Sequence, residues 1–167
     1  IKKNGLVPKM LLNTHCHLDH VFGNKYIAET FGLVAQIHEK EKQVLEFAPA
    51  SGLMWDMPFD NYTGEFIFLK EGDTINIGAN ELTVIEAPGH SPGHICFYSP
   101  KQNFLIGGDV LFNRSIGRTD LPGGNHAQLI KNIKEKLFIL PDETVVYNGH
   151  GPATTIGEEK KENPYLN

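Results

Sequence analysis

Cysteine is scarce in this chain, with Cys16 and Cys96 the two examples among 167 residues. Two thiols cannot build a disulfide framework, and neither lies in a Cys-x-x-Cys pair, so a reducing compartment is expected, by default the cytoplasm. No apolar run approaches the ~20 residues of a spanning helix, so no membrane role is expected. Long basic runs are missing too, and the formal net charge is -5. That argues against a nucleic-acid partner gripped through its phosphates, and an anionic substrate would need a local positive site. Residues 1–12 lack the charged start, apolar stretch and cleavage site of a signal peptide. With no internal repeat, low-complexity tract or linker, residues 1–167 read as one domain. The apolar fraction of 40% and the charged fraction of 21% match soluble globular usage, and the length suffices for one sizeable core.

What the sequence does have is a rhythm of elements. Residues 9–13 read as a short buried strand, 24–31 as an amphipathic helix stopped by Gly32, 33–37 as a strand, and 39–47 as a helix ended by Pro49. Strand, helix, strand, helix implies parallel pairing in a layered α/β domain. Residues 48–64 break the rhythm and read as a long loop or short helical excursion. From Glu65 onward five segments, 66–69, 74–77, 81–87, 93–99 and 103–106, alternate with turns and predict an antiparallel meander. Leu129, Ile130, Ile133, Leu137 and Phe138 predict a helix over 127–140, followed by a strand at 144–147 and a terminal helix at 156–162 stopped by Asn163-Pro164.

Histidine is where the chemistry gathers. Thr-His-Cys-His-Leu-Asp-His (14–20) packs His15, His17, Asp19 and His20 into six positions. Ionisable groups that dense must be solvated, paired or bound to metal. Three more candidate ligands follow apolar runs that enter a glycine: His90 after Ala-Pro-Gly, Asp109 after Ile-Gly-Gly, and His150 after Tyr-Asn-Gly. A glycine turn at a strand end can aim the next side chain into a common cleft. Five histidines and two aspartates exceed one tetrahedral ion and suit two metals sharing a carboxylate. With imidazole and carboxylate but no thiolate, the metals expected are zinc, iron or manganese. In a strand-like segment Cys16 points away from its two histidine neighbours and drops out as a ligand.

These motifs resemble the metallo-β-lactamase superfamily: the 15–20 cluster, Ala-Pro-Gly-His-Ser-Pro-Gly-His (87–94), Gly-Gly-Asp-Val-Leu-Phe (107–112) and Asn-Gly-His-Gly-Pro (148–152). Gly-Arg-Thr-Asp-Leu-Pro-Gly-Gly (117–124) and the ending Asn-Pro-Tyr-Leu are similar to the compact, single-domain glyoxalase II (hydroxyacylglutathione hydrolase) type. The resemblance implies an α/β fold, the αβ/βα metallo-β-lactamase sandwich, lacking the N-terminal strands that precede the histidine loop in that family. An intact protein longer at its N-terminus, or a second chain supplying the missing part, is therefore expected. The resemblance also implies that His15, His17 and His90 hold a first metal and Asp19, His20 and His150 a second, with Asp109 bridging. Both metals are expected to be divalent, most readily zinc. Asp19 and Asp109 would be the catalytic carboxylates, and His94 is either a support for the ligands or a packing residue. His38 and His126 read as capping or surface histidines.

The implied reaction is hydrolysis of a small-molecule thioester, S-lactoylglutathione or a related S-acyl thiol, by hydroxide formed between the metals. Arg118 is the candidate for a carboxylate of the substrate, since guanidinium binds carboxylates bidentately. A loop salt bridge from Arg118 to Asp120 competes with that role. The alternatives are an iron-dependent persulfide dioxygenase, whose motifs also include Thr-His-Cys-His and Gly-Arg-Thr-Asp, another hydrolase of the same fold, and a non-catalytic metal-stabilised binding module.

Overall fold

The computed structural model describes residues 1–167, apart from the side chain of Lys2. The chain forms two compact units, Ile1–Leu69 and Lys70–Asn167. In the first unit β1 (Leu11–Leu12), β2 (Ala35–Ile37) and β3 (Phe66–Phe68) make a parallel sheet in that order. The connections are helical: α1 (Leu18–Val21) and α2 (Asn24–Phe31) between β1 and β2, and α3 (Lys42–Met54) between β2 and β3. Parallel strands need such crossovers, which is why the alternating rhythm is informative. The predicted helix at 24–31 is α2, ending at Gly32. Cys16, Val21, Ile37, Leu45 and Ala48 form a buried cluster beside α3.

The helix expected to stop at Pro49 runs on to Met54 with Pro49 inside it. Proline removes the N–H that would bond the carbonyl four residues earlier, at Leu45. Asn61 repairs the loss, its Nδ2 donating to the Leu45 carbonyl at 2.7 Å. A side chain twelve positions beyond the proline thus completes the helix, so only the first part of the predicted loop at 48–64 is helical.

In the second unit β4 (Thr74–Ile77), β5 (Asn80–Glu86), β6 (Ile95–Ser99) and β7 (Phe104–Gly108) form an antiparallel meander. The segment at 66–69, expected to open that meander, belongs to the first unit's sheet instead, as β3 parallel to β2. Alternation makes a segment a strand but leaves its partner unspecified, and the α3 crossover decides for β2. Next come the two-residue strands β8 (Leu111–Phe112) and β9 (Ser115–Ile116), paired as a hairpin. After α4 (His126–Asn132) the helix widens to a π turn at Ile133–Leu137. The predicted single helix is therefore a composite, still burying Leu129, Ile133 and Leu137 at four-residue spacing. β10 (Val145–Asn148) joins β7 in parallel, β11 (Thr154–Thr155) adds to β10, and α5 (Ile156–Glu162) closes the unit. The sheet order is β11-β10-β7-β6-β5-β4, and its core includes Cys96, Leu105, Leu129, Ile133 and Val146.

Candidate functional site

The first unit's ligand loop leaves β1 and turns into α1. Asn13 tethers it at both ends: its backbone N–H donates to the Gln36 carbonyl (3.1 Å), and its Nδ2 donates to the His20 carbonyl (2.9 Å). Asn24 holds that amide in place, donating to Asn13 Oδ1 at 2.9 Å. His15 is fully buried, His17 half-buried at the N-cap of α1, and Asp19 exposed in its first turn. The His15 ring lies 4.9 Å from that of His17 and 4.1 Å from that of His20, centre to centre. His20 Nε2 stands 3.5 Å from Asp19 Oδ2. Cys16 sits in the apolar cluster instead, with its backbone N–H donating to the buried Glu41 Oε2 at 2.8 Å. Burial first, and the Glu41 charge second, push its thiol well above its ordinary range. A protonated, buried thiol is neither a nucleophile nor a ligand.

In the second unit three strand ends supply the candidate ligands. β5 leads through Ala87-Pro88-Gly89 to His90, and Gly89 adopts φ +138°, where a Cβ would lie 2.5 Å from the Leu129 nitrogen. The α4 side receives the carbonyls of this turn: Lys136 Nζ donates to Glu86, Asn132 Nδ2 to Pro88, and the Asn125 N–H to Gly89, each at 2.7 Å. His90 Nδ1 donates to the Arg118 carbonyl at 2.7 Å, which leaves Nε2 as the lone-pair nitrogen. β7 delivers Asp109, which is buried, and the next residues run into the β8–β9 hairpin. Gly117 closes that hairpin so tightly that a Cβ would sit 1.9 Å from the Asp109 carbonyl oxygen. β10 shifts register at Tyr147/Asn148, and the Gly149 N–H donates to Gly108 at 2.9 Å. The shift brings His150 beside Asp109.

The resulting separations are informative. His90 Nε2 and His150 Nε2 lie 3.6 Å and 3.3 Å from the same oxygen, Asp109 Oδ2. Charge-assisted hydrogen bonds draw N and O to roughly 2.7–2.9 Å. Ligands sharing one tetrahedral ion, with bonds of about 2.0–2.1 Å, stand roughly 3.3–3.4 Å apart. All three imidazole–carboxylate pairs, including Asp19–His20 in the first unit at 3.5 Å, lie closer to the second spacing than to the first. The residues present therefore fit divalent metal.

Among the remaining sequence candidates, Arg118 puts its guanidinium on Asp120, with Nε to Oδ1 at 2.7 Å and Nη2 to Oδ2 at 2.6 Å. The structure thus contains the competing loop salt bridge, and it holds the Asp120 carboxyl down at about 2. His38 accepts from the Lys40 N–H as a cap, and His126 is exposed at the start of α4. His94 is fully buried and accepts from the Asp109 N–H at 3.0 Å. Two supporting carboxylates escaped sequence reasoning. Glu41 anchors Cys16, and Glu159, fully buried, receives the Arg114 N–H (2.9 Å), Arg114 Nη1 (3.0 Å), Thr154 Oγ1 (2.5 Å) and Asn163 Nδ2 (2.7 Å). Both lie in charged stretches that read as solvated helix surface.

Comparison with known proteins agrees with this architecture. The sequence profile of the metallo-beta-lactamase superfamily matches residues 1–150. Hydroxyacylglutathione hydrolase GloC of Haemophilus influenzae is 38% identical over 95% of this chain and 76% of its own length. The BLEG-1 B3 metallo-beta-lactamase superposes with a TM-score of 0.91 at 40% identity, covering 99% of this chain and 80% of that one. TTHA1623, solved in a di-iron-bound form, gives a TM-score of 0.91 at 36% identity, covering 99% and 81%. With its mixed α/β metallo-beta-lactamase fold, the chain belongs to the metallo-beta-lactamase superfamily and is a metallo-hydrolase.

Proposed function

We propose that the chain hydrolyses a small-molecule thioester, S-lactoylglutathione or a related S-acyl thiol, using two divalent ions held by His15, His17, Asp19, His20, His90, Asp109 and His150. In this reading residues 1–167 act as one hydrolase domain, with no nucleic-acid or membrane partner. The observation that carries it is the spacing of imidazole and carboxylate in three separate pairs, each close to the edge of one ion's coordination shell. Zinc suits the donor set best, with iron or manganese as alternatives. When bound, such ions supply hydroxide at neutral pH and polarise a carbonyl, so no serine or cysteine nucleophile is required.

The chain's own groups orient this chemistry. The Arg118 carbonyl fixes the His90 tautomer, and Asp109 offers one oxygen toward both His90 and His150. Asp19 supplies the second catalytic carboxylate next to His20. A thiolate leaving group needs no obligatory protonation, because thiols ionise at about 8.5. Arg118 serves a substrate carboxylate only by exchanging Asp120 for it, an exchange open to an exposed loop pair. The likeness to GloC supports the thioester, whereas the likeness to BLEG-1 favours a β-lactam as second reading.

The test is metal content per chain measured beside turnover of S-lactoylglutathione and a β-lactam. Two ions with thioester hydrolysis are expected. One iron with oxygen uptake on glutathione persulfide, or β-lactam turnover alone, would reject the thioester reading.

A further inference from the structure

His94 is fully buried at the entrance to β6, and nothing in the ligand set above requires it. It nevertheless touches both ligand turns of the second unit. Its carbonyl accepts the Ala87 N–H at 2.9 Å, at the start of the turn that ends in His90. Its ring Nε2 lies 3.0 Å from the backbone nitrogen of Asp109. A backbone amide can only donate, so Nε2 must be the lone-pair nitrogen, and the neutral ring carries its proton on Nδ1. Asp109 stands where β7 gives way to the hairpin, and a buried N–H there needs an acceptor. The turn cannot slide to find another, because Gly117 packs against the Asp109 carbonyl with no room for a single added carbon. One side chain therefore sets the position of the Asp109 backbone from the strand that also sets the approach to His90.

We infer that His94 is a positioning residue: held as the Nδ1–H tautomer, it fixes the Asp109 main chain and thereby the reach of the Asp109 carboxylate toward metal. The inference rests on the two-ion reading for its consequence, though the hydrogen bond itself does not. A leucine at 94 keeps the apolar volume but offers no acceptor. A glutamine can place its amide oxygen near the position of Nε2.

Three measurements test this. In ¹⁵N-histidine-labelled protein, His94 should give the Nδ1–H tautomer pattern, with or without metal, and an Nε2–H pattern would overturn the assignment. His94→Leu should speed amide exchange at Asp109 and weaken metal binding in chelator competition by about 10–100-fold, the usual loss for a group that orients ligands. His94→Gln should restore most of both. Equal metal affinity in His94→Leu and the unsubstituted protein, or a Gln variant no better than Leu, would overturn the proposal. If His94→Leu does not fold, the tautomer and the metal affinity of His94→Gln decide. Uptake of fewer than two ions by the unsubstituted protein would count against the two-ion reading, whereas the tautomer and the Asp109 amide exchange would still decide for or against His94.

Discussion

In the first unit four candidate ligands fall within six positions of one loop and helix start, whereas the second unit draws His90, Asp109 and His150 from three strand ends. The supports differ accordingly. Around His15–His20 they are local, with Asn13 and Asn24 closing the loop and Glu41 taking the Cys16 N–H. Around His90 and Asp109 they come from distant segments, with His94 just before β6, Arg118 beyond the hairpin and Glu159 on α5. A dense local cluster needs only a strand end and a helix start to hold it. A dispersed set depends on sheet register, because a slip of one residue would turn each strand-end side chain to the other face.

That contrast can be broken most severely at Asp109. Asp109→Ala removes the oxygen nearest both His90 and His150, and thioester turnover is expected to fall by about 10³-fold or more, equivalent to several kcal/mol. Steady-state kinetics on metal-replete protein checks this, and retention of most activity would reject a bridging role.

Next in size is the distant support. Glu159→Ala strands four donor groups, contributed by Arg114, Thr154 and Asn163, and is expected to cost roughly 3 kcal/mol of stability, read from urea unfolding. Because Glu159 holds the backbone of Arg114 in the hairpin that follows Asp109, metal affinity should fall as well. If metal affinity stays unchanged while stability drops, the hairpin does not transmit to the ligands.

A smaller effect sharpens the account of α3. Asn61→Ala leaves the Leu45 carbonyl without its donor and should cost about 1–2 kcal/mol. In a Pro49→Ala background the restored N–H can bond that carbonyl, so the second substitution should cost less. Equal costs in both backgrounds, in a double-mutant cycle by urea unfolding, would mean that Asn61 does not compensate for the proline.

The smallest expected effect is at the exposed Arg118–Asp120 pair. Hydrogen bonding to Arg118 depresses the folded Asp120 value to about 2. The sign follows from linkage: the contribution is present above the unfolded carboxylate value of ~3.9 and is lost as pH falls through about 2. Asp120→Asn should therefore unfold slightly more easily than the unsubstituted protein at pH 5, with the difference vanishing near pH 2. A pH-independent difference between the two urea midpoints would point to another cause.

Much of this is legible in the amino-acid sequence. The α2 boundaries, the terminal helix and the parallel first sheet follow from periodicity, stop residues and the βα rhythm. Sequence and structure part where a distant residue intervenes. Pro49 stops a helix by its own chemistry, and only Asn61, brought near by the loop, lets α3 continue. Strand 66–68 was recognisable as a strand, but its partner was chosen by the α3 crossover. Glu41 and Glu159 look like surface charges in sequence, since nothing local announces that donors from elsewhere will surround a buried carboxylate.

The opening cluster and the glycine-led turns thus determined by themselves which residues could be ligands, because imidazoles and carboxylates in that density admit few other uses. Only the tertiary structure decided how His90 and His150 share Asp109. Their spacing of 3.3–3.6 Å depends on the β10 register shift, the Gly117 approach and the His94 bond, all contacts between segments far apart along the chain. Such contacts form only once the second unit's core has packed, so local chemistry names the candidate ligands and long-range packing sets the distances between them.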